Sequence, residues 1–232
     1  KELVLARLQA EPKYATLSKP AYPNDANPIN FTSIIQSLAS SVRGLNSFNS
    51  AYDRYQAGDG FAISEQAKQG EALFFDERTE CFHCHGGFNF TQSSYDRSQM
   101  FPDMVFFNNG LYNLDGKGAY PEGGQGIFEL TAKNEDMGKF RPPTLRNIAL
   151  TAPYMHDGSV GTLEEVIRHY VAGGRNITTG VNIGDGRTNP NKSSFVKSLD
   201  LTEAEIQQLL TFLNTLTDYD FISNPRFANP WS

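Results

Sequence analysis

Cys81-Phe82-His83-Cys84-His85 is the stretch on which the fold turns. The chain has 232 residues and 2 cysteines, and both cysteines stand in this run. A disulfide framework links distant segments and uses more cysteines, so none is expected. Two thiols on one helical turn can reach the two vinyl groups of one porphyrin. A His directly after the second thiol then lies under the ring, where it can bind iron. C-x-x-C-H is accordingly an attachment pattern for c-type haem. A zinc site draws its ligands from separated pairs, and a redox C-x-x-C needs no following His. Haem c is therefore the expected cofactor, held covalently by Cys81 and Cys84 with His85 as proximal ligand. Attachment of this kind takes place outside the cytoplasm, so a periplasmic or otherwise exported chain is expected.

Working outward, Ser64 is placed to cap a helix that runs to about Phe75, with Ala67, Leu73 and Phe74 facing inward. Residues 86–135 are rich in Gly, Asn, Asp and aromatics and show no long helical pattern. A loop region of that length inside a folded domain suits the wrapping of a ligand. Thr162 to Val171 reads as a helix, preceded by the turn His156-Asp157-Gly158 and closed by Gly173-Gly174. Residues 175–200 read as loop, with Gly184-Asp185-Gly186 as a turn. Thr202-Glu203-Ala204-Glu205 is a capping box that opens a helix through Ile206, Leu209, Leu210, Phe212 and Leu213. Toward the start, 31–45 carries Ile34, Ile35, Leu38 and Val42 at helical spacing, and 11–30 is a polar loop with one short helix. Lys1 to Leu8 already reads as mid-helix without a cap, so the chain is expected to be processed or cut from something longer.

Composition narrows the class. Hydrophobic residues make up 39% and charged residues 20%, an ordinary globular balance. The 20 Gly and 12 Pro predict many loops. A net charge of −6 argues against nucleic acid or an anionic membrane surface as partner. No apolar run is long enough for a membrane span. The sixth iron ligand stays open at this level, among the Met residues, the other His residues or a Tyr. Met155 and His156 sit beside a turn, and His169 and Tyr170 sit on a helix.

The run 140–158, Phe-Arg-Pro-Pro-Thr-Leu-Arg-Asn-Ile-Ala-Leu-Thr-Ala-Pro-Tyr-Met-His-Asp-Gly, resembles a hallmark of bacterial di-haem cytochrome c peroxidases and MauG-like enzymes. Thr162-Leu163-Glu164-Glu165-Val166, Gly70-Glu71-Ala72-Leu73-Phe74-Phe75, Gly110-Leu111-Tyr112-Asn113 and Asn224-Pro225-Arg226-Phe227 fit the same family. The resemblance covers nearly the whole chain. It is strongest to the MbnH-type branch, whose activity is oxidation of tryptophan on a partner protein. In this family a five-coordinate, peroxide-reacting haem domain is fused to a six-coordinate electron-transfer haem domain. The resemblance implies that residues 1–60 are the end of the first domain, 61–218 a cytochrome c domain with one covalent haem, and 219–232 a tail. The implied fold is mostly α, cytochrome c-like, with long loops. The implied partners are the first haem domain or a companion chain, and an external electron donor or protein substrate.

The resemblance also assigns residues. The peroxidases bind iron with a Met fourteen positions after the His of the His-Asp-Gly turn, and MauG-like enzymes have Tyr there; in this chain that position is Tyr170. Phenolate oxygen is hard and anionic and favours oxidised iron, whereas thioether sulfur favours the reduced state. His169 then points away from the haem, as surface or support. His156 is implied at the haem edge, as a donor to a propionate or a proton path, or else paired locally with Asp157. Arg141 and Arg146 suit haem propionates. An interdomain calcium is implied at the main-chain carbonyls of Thr151 and Pro153. Trp231 is expected to dock on its own domain. Two alternatives are weighed: a peroxidase fed by a small cytochrome, and a free-standing monohaem carrier.

Overall fold

Ser64, Thr162 and Thr202 each accept a hydrogen bond from the backbone N–H three residues on, and each opens a helix. Ser64 and Thr202 are caps that the sequence predicts, Thr162 caps the helix expected from Thr162 to Val171, and the computed structural model, which describes residues 1–93 and 105–229, uses all three. The helices are α1 Glu2–Ala10, α2 Pro12–Ala21, α3 Phe31–Gly44, α4 Ala51–Gln56, α5 Glu65–Phe74, α6 Cys81–His85, α7 Phe128–Thr131, α8 Leu163–Val171, α9 Glu203–Asn214 and α10 Tyr219–Ile222. The fold is mostly α, as expected. The described sheet is one antiparallel pair, β1 Asn176–Ile177 and β2 Gly184–Asp185, in the register Asn176 to Asp185 and Ile177 to Gly184. The predicted turn at Gly184-Asp185-Gly186 is thus partly strand. Asp185 then caps a short 3-10 turn with its side chain.

The chain divides into two compact units, 1–47 and 48–232. In the first, the Asn30 side chain and Ser33 form a reciprocal cap that opens α3. The Tyr22 hydroxyl donates to the Ser33 carbonyl at 2.9 Å and so ties the end of α2 to α3. The apolar stripe of α3 stays exposed, with Ile35, Leu38 and Val42 at 51%, 63% and 68%.

In the second unit, α5 lies directly on α9, and α8 packs against α9. Ala67, Leu73, Phe74, Leu163, Ile167, Ile206, Leu209, Phe212 and Leu213 form its core. Burial of such side chains stabilises by roughly 1.5–3 kcal/mol each. Tyr52 stands edge-on to Phe212 at 5.3 Å and to Phe90 at 5.5 Å, and its hydroxyl donates to Glu71 at 2.9 Å. Those contacts draw residues 48–60 into this unit.

The long loop region holds itself together with buried amides. The Asn189 side chain donates to the Tyr112 carbonyl at 2.7 Å, Asn108 to the Met137 carbonyl at 2.9 Å, and Asn113 to the Asp185 carbonyl at 3.1 Å. A second small core of Leu111, Tyr112 and Tyr120 sits beneath them. These amides meet buried carbonyls that no helix or ladder satisfies.

Candidate haem site

The segment after α5 turns sharply and delivers α6. The Thr79 hydroxyl donates to the Leu73 carbonyl at the end of α5, and Glu80 takes a left-handed conformation (φ 60°) before α6 starts. Cys81 and Cys84 are free thiols on this helix. Burial pushes their pKa values up, to about 11 for Cys81 and about 12 for Cys84. They rest as protonated thiols in apolar surroundings.

His85 is oriented by two backbone carbonyls. Its Nδ1 lies 3.2 Å from the Phe90 oxygen and 3.1 Å from the Pro143 oxygen. Carbonyls only accept, so Nδ1 carries the proton and Nε2 keeps its lone pair. That is the tautomer and second-sphere contact of a metal-binding His. Burial lowers the His85 pKa, which favours the neutral ligand form. His83, two residues earlier, is engaged elsewhere: Nε2 lies 3.1 Å from Glu77 and 3.0 Å from Glu80, and the ring stacks on Phe195 at 4.4 Å.

Cys81, Cys84 and His85 all face one cavity of about 790 Å³ whose walls include Phe74, Phe107 and Leu213. An apolar cavity of this class suits a large planar cofactor. Two thiols and an imidazole with a free Nε2 on its wall fit haem c.

Tyr170, on α8, lines the same cavity. Burial pushes its phenol up to about 12, and the Asn109 side chain opposes that by favouring the phenolate. Met155 lines the cavity as well, but its sulfur accepts a hydrogen bond from Asn109 Nδ2 at 3.3 Å. His156 is also on the wall, its ring stacked on Phe140 at 3.9 Å. Asp157 does not hydrogen-bond it: that carboxylate accepts from the Tyr112 hydroxyl at 2.5 Å and the Ser159 N–H at 3.0 Å. What remains between His156 and Asp157 is electrostatic attraction.

The two arginines part company. Arg146 is a carboxylate partner as expected, but the carboxylate is Asp53: Nη1 lies 3.0 and 2.9 Å from its two oxygens. Arg146 Nη2 donates to the Phe88 carbonyl at 2.8 Å, and the guanidinium lies over the Phe88 ring at 4.4 Å. Side-chain exposures of 7% and 14% make this a buried pair, anchored by the protein itself. Arg141 borders the cavity, is exposed, and donates Nη2 to the Ser93 carbonyl at 2.7 Å. Thr151 and Pro153 border the cavity and are exposed. Among the described residues the one group of three or more His, Cys, Asp or Glu ligands is Glu77, Glu80 and His83. Trp231 lies outside the described residues.

Of the two expected positions, surface or support, His169 takes the buried one. It is 7% exposed, and its Nε2 donates to the Asn109 carbonyl at 2.9 Å. Asn109 itself carries no motif signal. Its contacts reach His169 and Met155, 60 and 46 residues away, which no spacing rule captures. Burial holds the His169 pKa down at about 4, below the ordinary 6.5. The unfolded chain therefore binds this proton first. The stability that His169 contributes is whole above about pH 6.5 and falls as the pH drops toward 4. The gap between the two values corresponds to about 3 kcal/mol. In urea titrations, the native chain should lose about that much more than His169→Gln between pH 7 and pH 4. Parallel pH profiles for the two proteins would contradict it.

With this geometry in place, likeness to known proteins is informative. A solved structure described as a MauG-like protein associated with microbial copper homeostasis is 46% identical, with a TM-score of 0.94 over 100% of this chain and 66% of that one. The chain belongs to the MauG-like di-haem cytochrome c peroxidase family. The family profile for di-haem cytochrome c peroxidase matches residues 1–60. The methylamine utilization protein MauG of Methylorubrum extorquens is 33% identical over 93% of this chain and 52% of its own length. The cytochrome c551 peroxidase of Pseudomonas aeruginosa is 31% identical over 72% of this chain and 44% of its own length. The chain thus spans about half the length of these curated relatives of the MauG-like family. No helix among the described residues is long and apolar enough to cross a membrane.

Proposed function

We propose that this chain is the electron-transfer haem half of an exported, periplasmic di-haem MauG-like oxidase or peroxidase. The observation that carries the reading is the meeting of Cys81, Cys84, His85 and Tyr170 on one apolar cavity. Haem c bound there supplies an iron centre whose oxidised states an anionic oxygen ligand favours. Cys81 and Cys84 hold the macrocycle. His85 binds through Nε2 while Phe90 and Pro143 fix its ring. Tyr170 is the sixth ligand, and the apolar walls exclude water from both ligands. Arg141, rather than Arg146, is the arginine with capacity for a propionate, and His156 is placed to hold or pass a proton at the cavity edge.

Hydrogen peroxide is the oxidant, reacting at a second haem in a neighbouring domain or companion chain. The exposed Ile35, Leu38 and Val42 stripe of residues 1–47 suits packing on such a domain, and the carbonyls of Thr151 and Pro153 suit a shared calcium ion. The oxidised donor is external to this haem, and the MbnH-type resemblance favours a protein tryptophan. A peroxidase fed by a small cytochrome is the second reading, against which Tyr170 stands where that family has its ligand Met; Met155 faces the cavity but is not at that position. Its sulfur is engaged by Asn109, which favours the first.

Tyr170→Phe decides between them. The variant is expected to keep its covalent haem, lose phenolate-to-iron charge transfer and gain a high-spin signal by optical and electron paramagnetic resonance spectroscopy. Spectra identical to those of the native protein would overturn Tyr170 as ligand. A haem-stained denaturing gel with intact mass tests the second haem. A longer chain or companion carrying it supports the di-haem reading, and one haem on this chain alone overturns it.

A further inference from the structure

Two side chains on the cavity wall offer iron a ligand of opposite character. Met155 presents a thioether and Tyr170 a phenol. Thioether sulfur would stabilise reduced iron, and phenolate would stabilise oxidised iron, so which one binds sets the redox behaviour of the centre. Both are in reach of one residue. Asn109 lines the same cavity as both and donates its Nδ2 to Met155 Sδ at 3.3 Å.

Asn109 is not free to move. Its carbonyl accepts from His169 Nε2 at 2.9 Å. On one side of it, Asn108 is fully buried and donates to the Met137 carbonyl while accepting from the Tyr120 hydroxyl at 2.9 Å. On the other side, the Gly110 N–H donates to Asn108 Oδ1 at 2.8 Å, and the Gly110 carbonyl accepts from the Arg175 N–H at 2.9 Å. The backbone is thus fixed before, at and after Asn109, which fixes where its side chain starts, and the bond to Met155 sets its amide. His169 and Tyr170 are neighbours on α8. The helix that carries the phenol therefore also carries the group that holds Asn109 beside it. Met155 is held in turn by a left-handed backbone (φ 69°), a conformation that a side-chain-bearing residue keeps only when its surroundings determine it.

We propose that Asn109, anchored by His169, is a positioning residue that selects the sixth ligand, by occupying the sulfur of Met155 and leaving Tyr170 to bind iron. The inference rests on the reading of Tyr170 as ligand and adds to it the reason why the nearby thioether does not compete. A weak acceptor such as a thioether is engaged by a fixed amide at little cost, because the amide needs no reorganisation to reach it.

The test uses the exported holoprotein and reads optical spectra, electron paramagnetic resonance and the reduction potential. Asn109→Leu keeps the bulk and removes the donor. It is expected to bring in a thioether-to-iron charge-transfer band and to raise the potential. Adding Met155→Leu to it should abolish the new band and return the phenolate spectrum. Met155→Leu alone should leave the native spectrum unchanged. His169→Leu should shift the spectrum in the direction of Asn109→Leu, whereas His169→Gln, which keeps an N–H donor, should not. If Asn109→Leu does not take up haem, Asn109→Ser, which lacks the reach to Met155, carries the same expectation. Native spectra and potential in these Asn109 variants, together with an altered Tyr170→Phe, would overturn the selection by Asn109 and leave the ligand in place. An unaltered Tyr170→Phe would overturn the ligand itself.

Discussion

Cys81→Ala combined with Cys84→Ala is expected to abolish haem staining on a denaturing gel and to remove most of the stability of residues 48–229. The first result follows from the chemistry of attachment, since these are the chain's 2 cysteines and no other thiol is present to form a thioether. The second follows from the size of the cavity. A void left unfilled in a core costs about 24 cal/mol per Å³. Applied to a cavity of about 790 Å³, that rate gives about 19 kcal/mol, an upper bound because the cavity opens to solvent. Even a third of it rivals the roughly 5–15 kcal/mol that holds an ordinary domain together. Phe74, Leu163, Ile167, Leu209 and Leu213 belong to the core and also line this cavity, so they need something to pack against on that side. The cofactor is in this sense part of the core. Intact mass and thermal unfolding measure the two effects. A haem-stained band in the double variant, or unfolding at the native temperature, would contradict them. Tyr170→Phe is the control, because it should retain covalent haem.

The parts of this arrangement that could be read from the sequence are those whose cause is local. The Thr202 capping box and the Ser64 and Thr162 caps act within four residues, and the helices start where those side chains say. Cys81, Cys84 and His85 lie on one turn, so their meeting is also a local fact. Tyr170 is legible only through the family resemblance; a tyrosine on a helix has no distinguishing pattern, and only the fold brings it to the cavity of His85. What stayed hidden depends on contacts between distant segments. Arg146 reads as a free carboxylate partner until Asp53, 93 residues away, closes on it. His169 reads as either surface or support, and only the loop carrying Asn109, which covers that side of α8 and buries it, decides for support. Gly184 and Asp185 read as a turn because each sits among loop formers, and only their pairing with Ile177 and Asn176 makes them strand.

Gly70→Ala is expected to destabilise the second unit by about 2 kcal/mol or more, although alanine is the better helix former. Gly70 lies within α5, where α9 crosses it. A Cβ added there would come 2.0 Å from the Gln208 carbonyl oxygen, 2.5 Å from its carbon and 2.8 Å from the Phe212 Cβ. Backbone atoms of a helix cannot swing aside as the end of a flexible side chain can. The two helices must separate, and with them the packing of Ala67 and Phe74 against Leu209 and Phe212. Overpacking of this kind costs typically 1–3 kcal/mol, sometimes more, and rigid neighbours on both contacts place this site at the upper end. The gain in helix propensity, about 1 kcal/mol, offsets part of it. For a unit of this size each kcal/mol lowers the melting temperature by roughly 2–4 °C, so a fall of about 4–8 °C is expected in the holoprotein. Gly60→Ala is the matched control, since a Cβ there meets nothing within 4 Å. The damage should reach the site as well, because Leu209 and Leu213 of α9 line the cavity and α5 runs directly into the turn that presents Cys81. Haem incorporation should therefore fall in Gly70→Ala and not in Gly60→Ala. Equal melting temperatures for the two variants would show that the α5–α9 crossing relaxes, and that the close approach at Gly70 is not what holds these helices together.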